Sequence, residues 1–401
     1  MMMNNNMINN NLNNSLNNNL NNSLNNNLNK NNNQTNNLNI PYPHKKGLEN
    51  LGQICYMNSS IQCLANIEEL SNELLKFINT INPNKQQLTY SFSHLLYELK
   101  FSNEKFISPK QFKQLIGQMN PLFEGNQASD SKDLVFFIIE RLHNELKQNV
   151  NVSNNKINFS KQDEISQDEK KSLEYFMDDF KKKNYSIMHE IFYGINESIM
   201  KCEGCHKTRY SYQSFNMLIF ALKKVKENKQ ELIDQGYQDK NIDLYYAFES
   251  EMKEEKLTAE NMIYCNTCKE LKEGSHRTKI YQLPKVLIIV LNRGKNNEDF
   301  KDKFTFPEVL TFADDKSNFY IINQEQNIRF YLSGIIVHLG ESSSSGHFIC
   351  YCRNKLNDKF VCYNDKSVTE QNIEVEDAMK ETISKNSDEK RTPYILFYHS
   401  F

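Results

Sequence analysis

Cysteine and histidine are the side chains best suited to making and breaking acyl bonds near neutral pH, and this chain has nine of each. Cys55 follows a glycine-bearing turn in the string Gly47 to Leu64, G-L-E-N-L-G-Q-I-C-Y-M-N-S-S-I-Q-C-L. Ile54, Met57, Ile61 and Leu64 recur there at helical spacing, which predicts a helix with Cys55 near its N-terminus. A helix N-terminus favours a thiolate over a thiol, and its unpaired N–H groups can hold an oxyanion. Asn50, upstream on the turn, could add a side-chain amide donor. A cysteine taken alone is more often a small buried hydrophobe, and Cys63, farther along the same helix, keeps that reading.

A thiolate needs a base, and the base needs a third group to orient it. The candidates come late in the chain. Val337 to Arg353 reads V-H-L-G-E-S-S-S-S-G-H-F-I-C-Y-C-R, a Gly- and Ser-rich loop leading to His347 at the head of an aromatic strand. Phe360 to Val368, F-V-C-Y-N-D-K-S-V, places Asn364 or Asp365 at a neighbouring strand end to hold the ring tautomer. Spacing alone leaves His338 and His347 equally open.

Cys202-x-x-Cys205 and Cys265-x-x-Cys268 are two knuckles with the spacing that suits tetrahedral zinc. Four protein thiolates would close the coordination sphere, so such a metal would be structural and would not activate water. Asp130 and Asp133 open a further helical pattern, where the dipole favours carboxylates and capping is the simple account.

The elements that must position these residues fall into three stretches. Met1 to Asn39 is almost pure Asn, with Leu12, Leu16, Leu20, Leu24 and Leu28 every fourth residue. It cannot bury enough apolar surface to offset its ordering entropy, so residues 1–43 read as a disordered tail. Helical patterns follow at Ile54 to Leu64, Tyr90 to Leu99 and Asp133 to Leu146, the last with an apolar run from Leu134 to Ile139 that implies burial on most sides. Lys147 to Lys171 reads as a polar insertion. Strand-like runs come next, at Ile187 to Met200, Tyr210 to Leu222, Lys285 to Leu291, Phe330 to Val337, Phe348 to Arg353, Phe360 to Tyr363 and Tyr394 to Tyr398. Helices first and strands later predict an α+β fold.

The string around Cys55 resembles the cysteine box of the ubiquitin-specific protease family, and His338 to His347 followed by Tyr363-Asn364-Asp365 resembles its histidine box. Leu283 to Arg293 and Tyr394 to Tyr398 are similar to that family's palm strands, so the resemblance runs from Lys46 to Tyr398. It implies a papain-like thumb, palm and fingers arrangement over residues 44–401, with the thumb at about 44–185, the fingers at about 186–282 and the palm at about 283–401. It also implies roles. Cys55 would be the nucleophile, His347 the base, Asn364 with adjacent Asp365 the orienting pair, and Asn50 an oxyanion donor. The four knuckle cysteines would hold one structural Zn2+ in the fingers, with no catalytic cofactor. Asp130 and Asp133 would meet the arginine-bearing tail of ubiquitin.

The implied activity is hydrolysis of the isopeptide or peptide bond after ubiquitin's C-terminal glycine, through an acyl-enzyme. A ubiquitin-binding scaffold of the same fold with little or no turnover is the alternative. Hydrophobic residues make up 38% and charged residues 24% of the 401, enough for a sizeable core. The formal charge of −2 points to no nucleic-acid or membrane-surface partner. No apolar stretch approaches the roughly 20 residues of a membrane helix, and the start lacks a signal-peptide layout. The expected setting is cytoplasmic or nuclear, with ubiquitin and ubiquitinated proteins as partners and the chain monomeric.

Overall fold

The structure, a computed structural model, describes residues 44–147, 164–183, 185–234, 242–294, 304–312, 328–342, 345–373 and 391–400. The Asn-rich tail and most of the polar insertion lie outside them.

The helical part is built around α1 (Cys55–Ala65), whose eleven residues are all buried. A helix enclosed on every side must satisfy its polar residues internally. Ser59 and Ser60 donate back to the Tyr56 carbonyl at 3.1 and 2.7 Å, and Gln62 Nε2 donates to the Lys46 carbonyl at 3.0 Å. The helices α2 (Glu68–Lys76), α3 (Gln87–Phe101), α4 (Lys110–Met119) and α5 (Ser131–Leu146) complete this layer, with α1 packed on α2 and α5. Ser131 has little bulk, and its hydroxyl reaches the Tyr56 carbonyl at 3.3 Å, which brings α5 close to α1.

The opposite wall is an eight-stranded sheet. The short parallel pair β1 (Gly47–Leu48) and β2 (Phe106–Ile107) stands outside it. So do β3 (Gly194–Cys202) and β4 (Thr208–Phe215), which come before its first strand, β5 (Leu218–Ala221). Next in the chain are β6 (Glu255–Leu257), β7 (Ile263–Cys265), β8 (Glu270–Lys272) and β9 (Gly274–Gln282). The remaining strands of the large sheet are β10 (Val286–Asn292), β11 (Val309–Thr311), β12 (Arg329–Ser342), β13 (Ser345–Asn354), β14 (Lys359–Asn364), β15 (Ser367–Ile373) and β16 (Arg391–Ser400). The order is β15-β14-β13-β12-β16-β10-β5, with β11 on β12. All pairs are antiparallel except β10 with β5. Strand β13 packs directly on α1, so the helix of Cys55 and the strand of His347 face each other across one seam. A mixed helix-and-sheet fold stands, in the papain-like arrangement.

Several local readings are corrected. Ile187 to Met200 is not one strand: Ile187–Phe192 is a helix, α7, which follows α6 (Glu169–Lys183). The Ser186 side chain caps α7 by accepting from His189 N, and Met188, Ile191 and Phe192 are buried at helical spacing. Tyr210 to Leu222 is two strands in two different sheets, broken at Asn216, whose side chain is drawn to Glu140 on α5 at 2.7 Å. The apolar run of α5 is buried on most sides, with Leu134, Val135, Ile138 and Ile139 inside, and Phe136, 47% exposed, marks its open side. Lys170 and Lys171 belong to α6.

The interval 186–282 is also interrupted. Strand β5 and the helices α8 (Leu222–Asp234) and α9 (Leu244–Glu251) pack against the large sheet, burying Phe220, Val225, Leu244 and Phe248 in one core with Ile289 and Leu396. Only 194–215 and 255–282 build the second, four-stranded sheet, in the order β4-β3-β9-β6, and the β7–β8 hairpin.

Candidate active site

Cys55 begins α1, and the preceding Ile54 has no side chain able to cap the first turn. Two residues in the left-handed region, Gly52 (φ 111°) and Gln53 (φ 47°), deliver the chain to that point. Gln53 is held there by its side-chain oxygen, which accepts from Ala128 N at 3.3 Å. Asn50 braces the same turn, its Oδ1 accepting from Gly52 N at 3.1 Å and Ile54 N at 3.3 Å.

His347 sits near the start of β13, opposite Leu339. Gly346 just before it has φ 155°, and a Cβ there would overlap the His338 ring, so only glycine fits. The His347 Nε2 lies 2.8 Å from Asn364 Oδ1, which leaves Nδ1 for the sulfur. Its pKa is raised to about 9, first by the hydrogen bond with Cys55, against burial, with Asn364 and the Asp365 charge adding to the rise. His338, which the spacing left as an alternative base, is buried and stacked edge-on against Phe348, and burial lowers its pKa to about 4.

Asp365 occupies the turn after β14 with φ 49°, and its carboxylate lies 3.7 Å from His347 Nε2. Its two oxygens are engaged by the helical wall: Oδ2 accepts from Asn50 Nδ2 at 2.8 Å and Oδ1 from Asn58 Nδ2 at 2.7 Å. Its carbonyl accepts from Leu48 N at 2.8 Å. Gly47 is required beneath it, since a Cβ there would overlap the Asp365 and Lys366 carbonyls. The Asn50 amide carries two N–H bonds, so one is held by Asp365 and the second remains to meet an oxyanion. Asn58 was not singled out by its residue type. Its place one turn after Cys55 was the available signal.

Asp130 caps α5 by accepting from Lys132 N at 2.8 Å, and it accepts the Tyr394 hydroxyl at 2.8 Å. Asp133 is half-exposed and 3.4 Å from Lys132 Nζ. The capping account therefore covers Asp130, and of the two carboxylates Asp133 has more freedom to meet a ligand.

The four knuckle cysteines converge. Cys202 ends β3, Cys265 ends β7, and all four sulfurs lie within 4.8 Å of one another, with Cys205 and Cys265 3.6 Å apart. A tetrahedron with metal–sulfur bonds of about 2.3 Å has edges of about 3.8 Å. His206 (φ 57°) and Lys269 (φ 61°) follow the second cysteine of each pair, so both knuckles turn the same way. The Cys268 N–H lies 3.5 Å from the Cys265 sulfur and is the first cause of that thiol's fall to about 6. The group could hold a metal ion.

A family model described as Ubiquitin carboxyl-terminal hydrolase matches residues 46–398. Ubiquitin carboxyl-terminal hydrolase Usp2 of Drosophila melanogaster is 25% identical over 358 residues, covering 88% of this chain and 34% of that protein. Ubiquitin carboxyl-terminal hydrolase 4 of Vanderwaltozyma polyspora is 28% identical over 388 residues, covering 88% and 41%. This chain thus spans well under half the length of these curated relatives. Among solved structures, the SAGA Ubp8/Sgf11/Sus1/Sgf73 DUB module bound to ubiquitin aldehyde superposes with a TM-score of 0.62 at 20% identity, over 92% of this chain and 72% of that chain. The same fold, and a match that takes in the Cys55, His347 and Asn364 segments together with both knuckles, lead to one assignment: the chain belongs to the ubiquitin carboxyl-terminal hydrolase family.

Proposed function

We propose that this chain is a thiol-dependent deubiquitinase, hydrolysing the isopeptide or peptide bond that follows ubiquitin's C-terminal glycine. The observation that carries the reading is His347, which meets Cys55 on one side and Asn364, at 2.8 Å, on the other. Nucleophile, base and orienting group come from three separate segments, an arrangement that packing alone does not require.

In the proposed mechanism the Cys55 thiolate attacks the glycine carbonyl. The free Asn50 N–H and the Cys55 backbone N–H stabilise the oxyanion, and His347 protonates the departing lysine amine. His347 then activates the water that clears the thioester. Asn364 fixes the ring, and Asp365 contributes charge while holding Asn50 in place. Asp133, and Asp130 to a lesser degree, would meet basic groups of the ubiquitin tail. The four fingertip cysteines would hold one Zn2+, a closed structural ion that joins two segments distant in sequence and takes no part in bond breaking.

Ubiquitin and ubiquitinated proteins are the proposed partners, and a cytoplasmic or nuclear monomer is the proposed state. Among the described residues no helix is long and apolar enough to cross a membrane.

The test is a ubiquitin probe with an electrophilic C-terminus, offered to the wild type and to Cys55→Ser. A covalent adduct on the wild type alone is the expected result. Tight ubiquitin binding with no adduct would overturn the enzyme reading and favour a scaffold.

A further inference from the structure

A second group of cysteines lies away from the fingertip. Cys63 on α1 and Cys350 and Cys352 on β13 have their sulfurs within 4.8 Å of one another and are 3%, 0% and 1% exposed. Cys350 and Cys352 are two residues apart on one strand, so both face the helix. Gly334 lies opposite Cys352 on β12, and a Cβ added there would come within 3.5 Å of the Cys63 sulfur.

The three sulfurs differ in character. Burial pushes Cys63 and Cys350 up. At Cys352 burial is outweighed by hydrogen bonds from Cys350, Cys63 and Asn66 and by the Lys100 charge, and its thiol is lowered. A closed structural zinc takes four protein ligands, as the fingertip supplies, and this group has three. Three sulfurs gathered in one buried group, one of them with a lowered pKa, are instead the components of thiol–disulfide chemistry.

We infer that Cys63, Cys350 and Cys352 form an oxidation site at which a disulfide joins the helix of the nucleophile to the strand of the base. With a peroxide as oxidant, the Cys352 thiolate attacks one peroxide oxygen and the O–O bond breaks, leaving a sulfenic acid and, after proton uptake, one water. The Cys63 sulfur then attacks the sulfenic sulfur, the S–O bond breaks, and a second water leaves. In sum, two thiols and one hydrogen peroxide give one disulfide and two waters. The spare thiol, Cys350, can attack the new bond and take over as the partner of Cys63. Because all three sulfurs are buried, oxidation requires α1 and β13 to part transiently, and it is slower than that of exposed thiols. The product pins together the two walls of the cleft, and it does so whether or not the proposed hydrolase activity is correct.

The test uses the full chain carrying Cys55→Ser, treated with hydrogen peroxide, blocked with iodoacetamide in denaturant and digested with trypsin without reductant. The expected product joins peptide 47–76 to peptide 330–353, weighs their sum less two hydrogens plus one carbamidomethyl group on the remaining thiol, and separates again on reduction. Cys350→Ala should retain the link, and Cys352→Ala should form it more slowly, through Cys350. Alkylatable Cys63 throughout the peroxide course would overturn the inference. So would a Cys350–Cys352 disulfide formed within peptide 330–353 in place of the link, or a second equivalent of bound metal that disappears when Cys350 and Cys352 are both replaced by alanine.

Discussion

The cleft and the fingertip solve the same problem, bringing residues from distant segments to within bonding distance, by opposite means. At the cleft, α1 is wholly buried and the site rests on a large apolar core, with Asn50, Asn58, Asp365 and His347 fixed by hydrogen bonds. At the fingertip the β7–β8 hairpin exposes Tyr264 and Leu271, each at 57%, and beyond the β3–β9 ladder the four sulfurs are what gathers the two knuckles at its end. A core can hold a site in place without a ligand, whereas a short hairpin with little core depends on one.

The comparison breaks most sharply at the sulfur atoms. Cys55→Ala should lower turnover of a ubiquitin C-terminal amide by at least about 10⁴-fold, with folding unaffected, as read by kinetics and thermal melting. Cys265→Ser, or chelation of the wild type, should bring the metal-to-protein ratio close to zero and open new proteolytic sites between 202 and 273. Hydrolysis of a short peptide from the ubiquitin tail should then stay within about twofold while cleavage of whole ubiquitin substrates falls at least about tenfold. Loss of both activities together would show that the fingertip supports the cleft itself.

Asp365→Ala removes the acceptor of two amides, and an unfolding stability loss of about 2 kcal/mol is expected, together with a fall in kcat of about tenfold or more. A smaller effect concerns pH. The His347 pKa is raised above its ordinary value, so its contribution to stability is complete below about pH 6.5 and is lost as pH climbs through about 9. Activity should fall along the same alkaline limb, and His347→Ala should abolish the dependence along with turnover. Smallest is Tyr394→Phe, which frees Asp130 from its hydroxyl partner and should cost about 1 kcal/mol in denaturant melts.

The residues that the structure brings together at the cleft and the fingertip, Cys55, His347, Asn364 and the knuckles, were legible in the sequence because they stand in local strings. What the sequence did not disclose depends on partners far along the chain. Asn216 breaks an apparent strand because Glu140, on a helix, takes its amide. Ile187 to Phe192 adjoins a β-like run and reads as its start, yet the Ser186 cap and a buried helical face decide it. Helix α8 escaped notice because its lysine- and glutamate-rich face hides the few apolar residues that dock on the large sheet, and α9 because its eight residues are too few to show a period. Cys63 read as one more buried hydrophobe until folding set it beside two sulfurs on β13.

The complete enclosure of α1 also bears on how the protein is made. The strands β13 and β14, which cover the helix of Cys55 and bring His347 and Asn364, are synthesised almost 300 residues after it. At roughly 5–20 residues per second, that is a delay on the order of 15–60 s during which Cys55 has neither strand beside it. On the proposed function, a nascent chain would stay without its base until β13 and β14 close over α1.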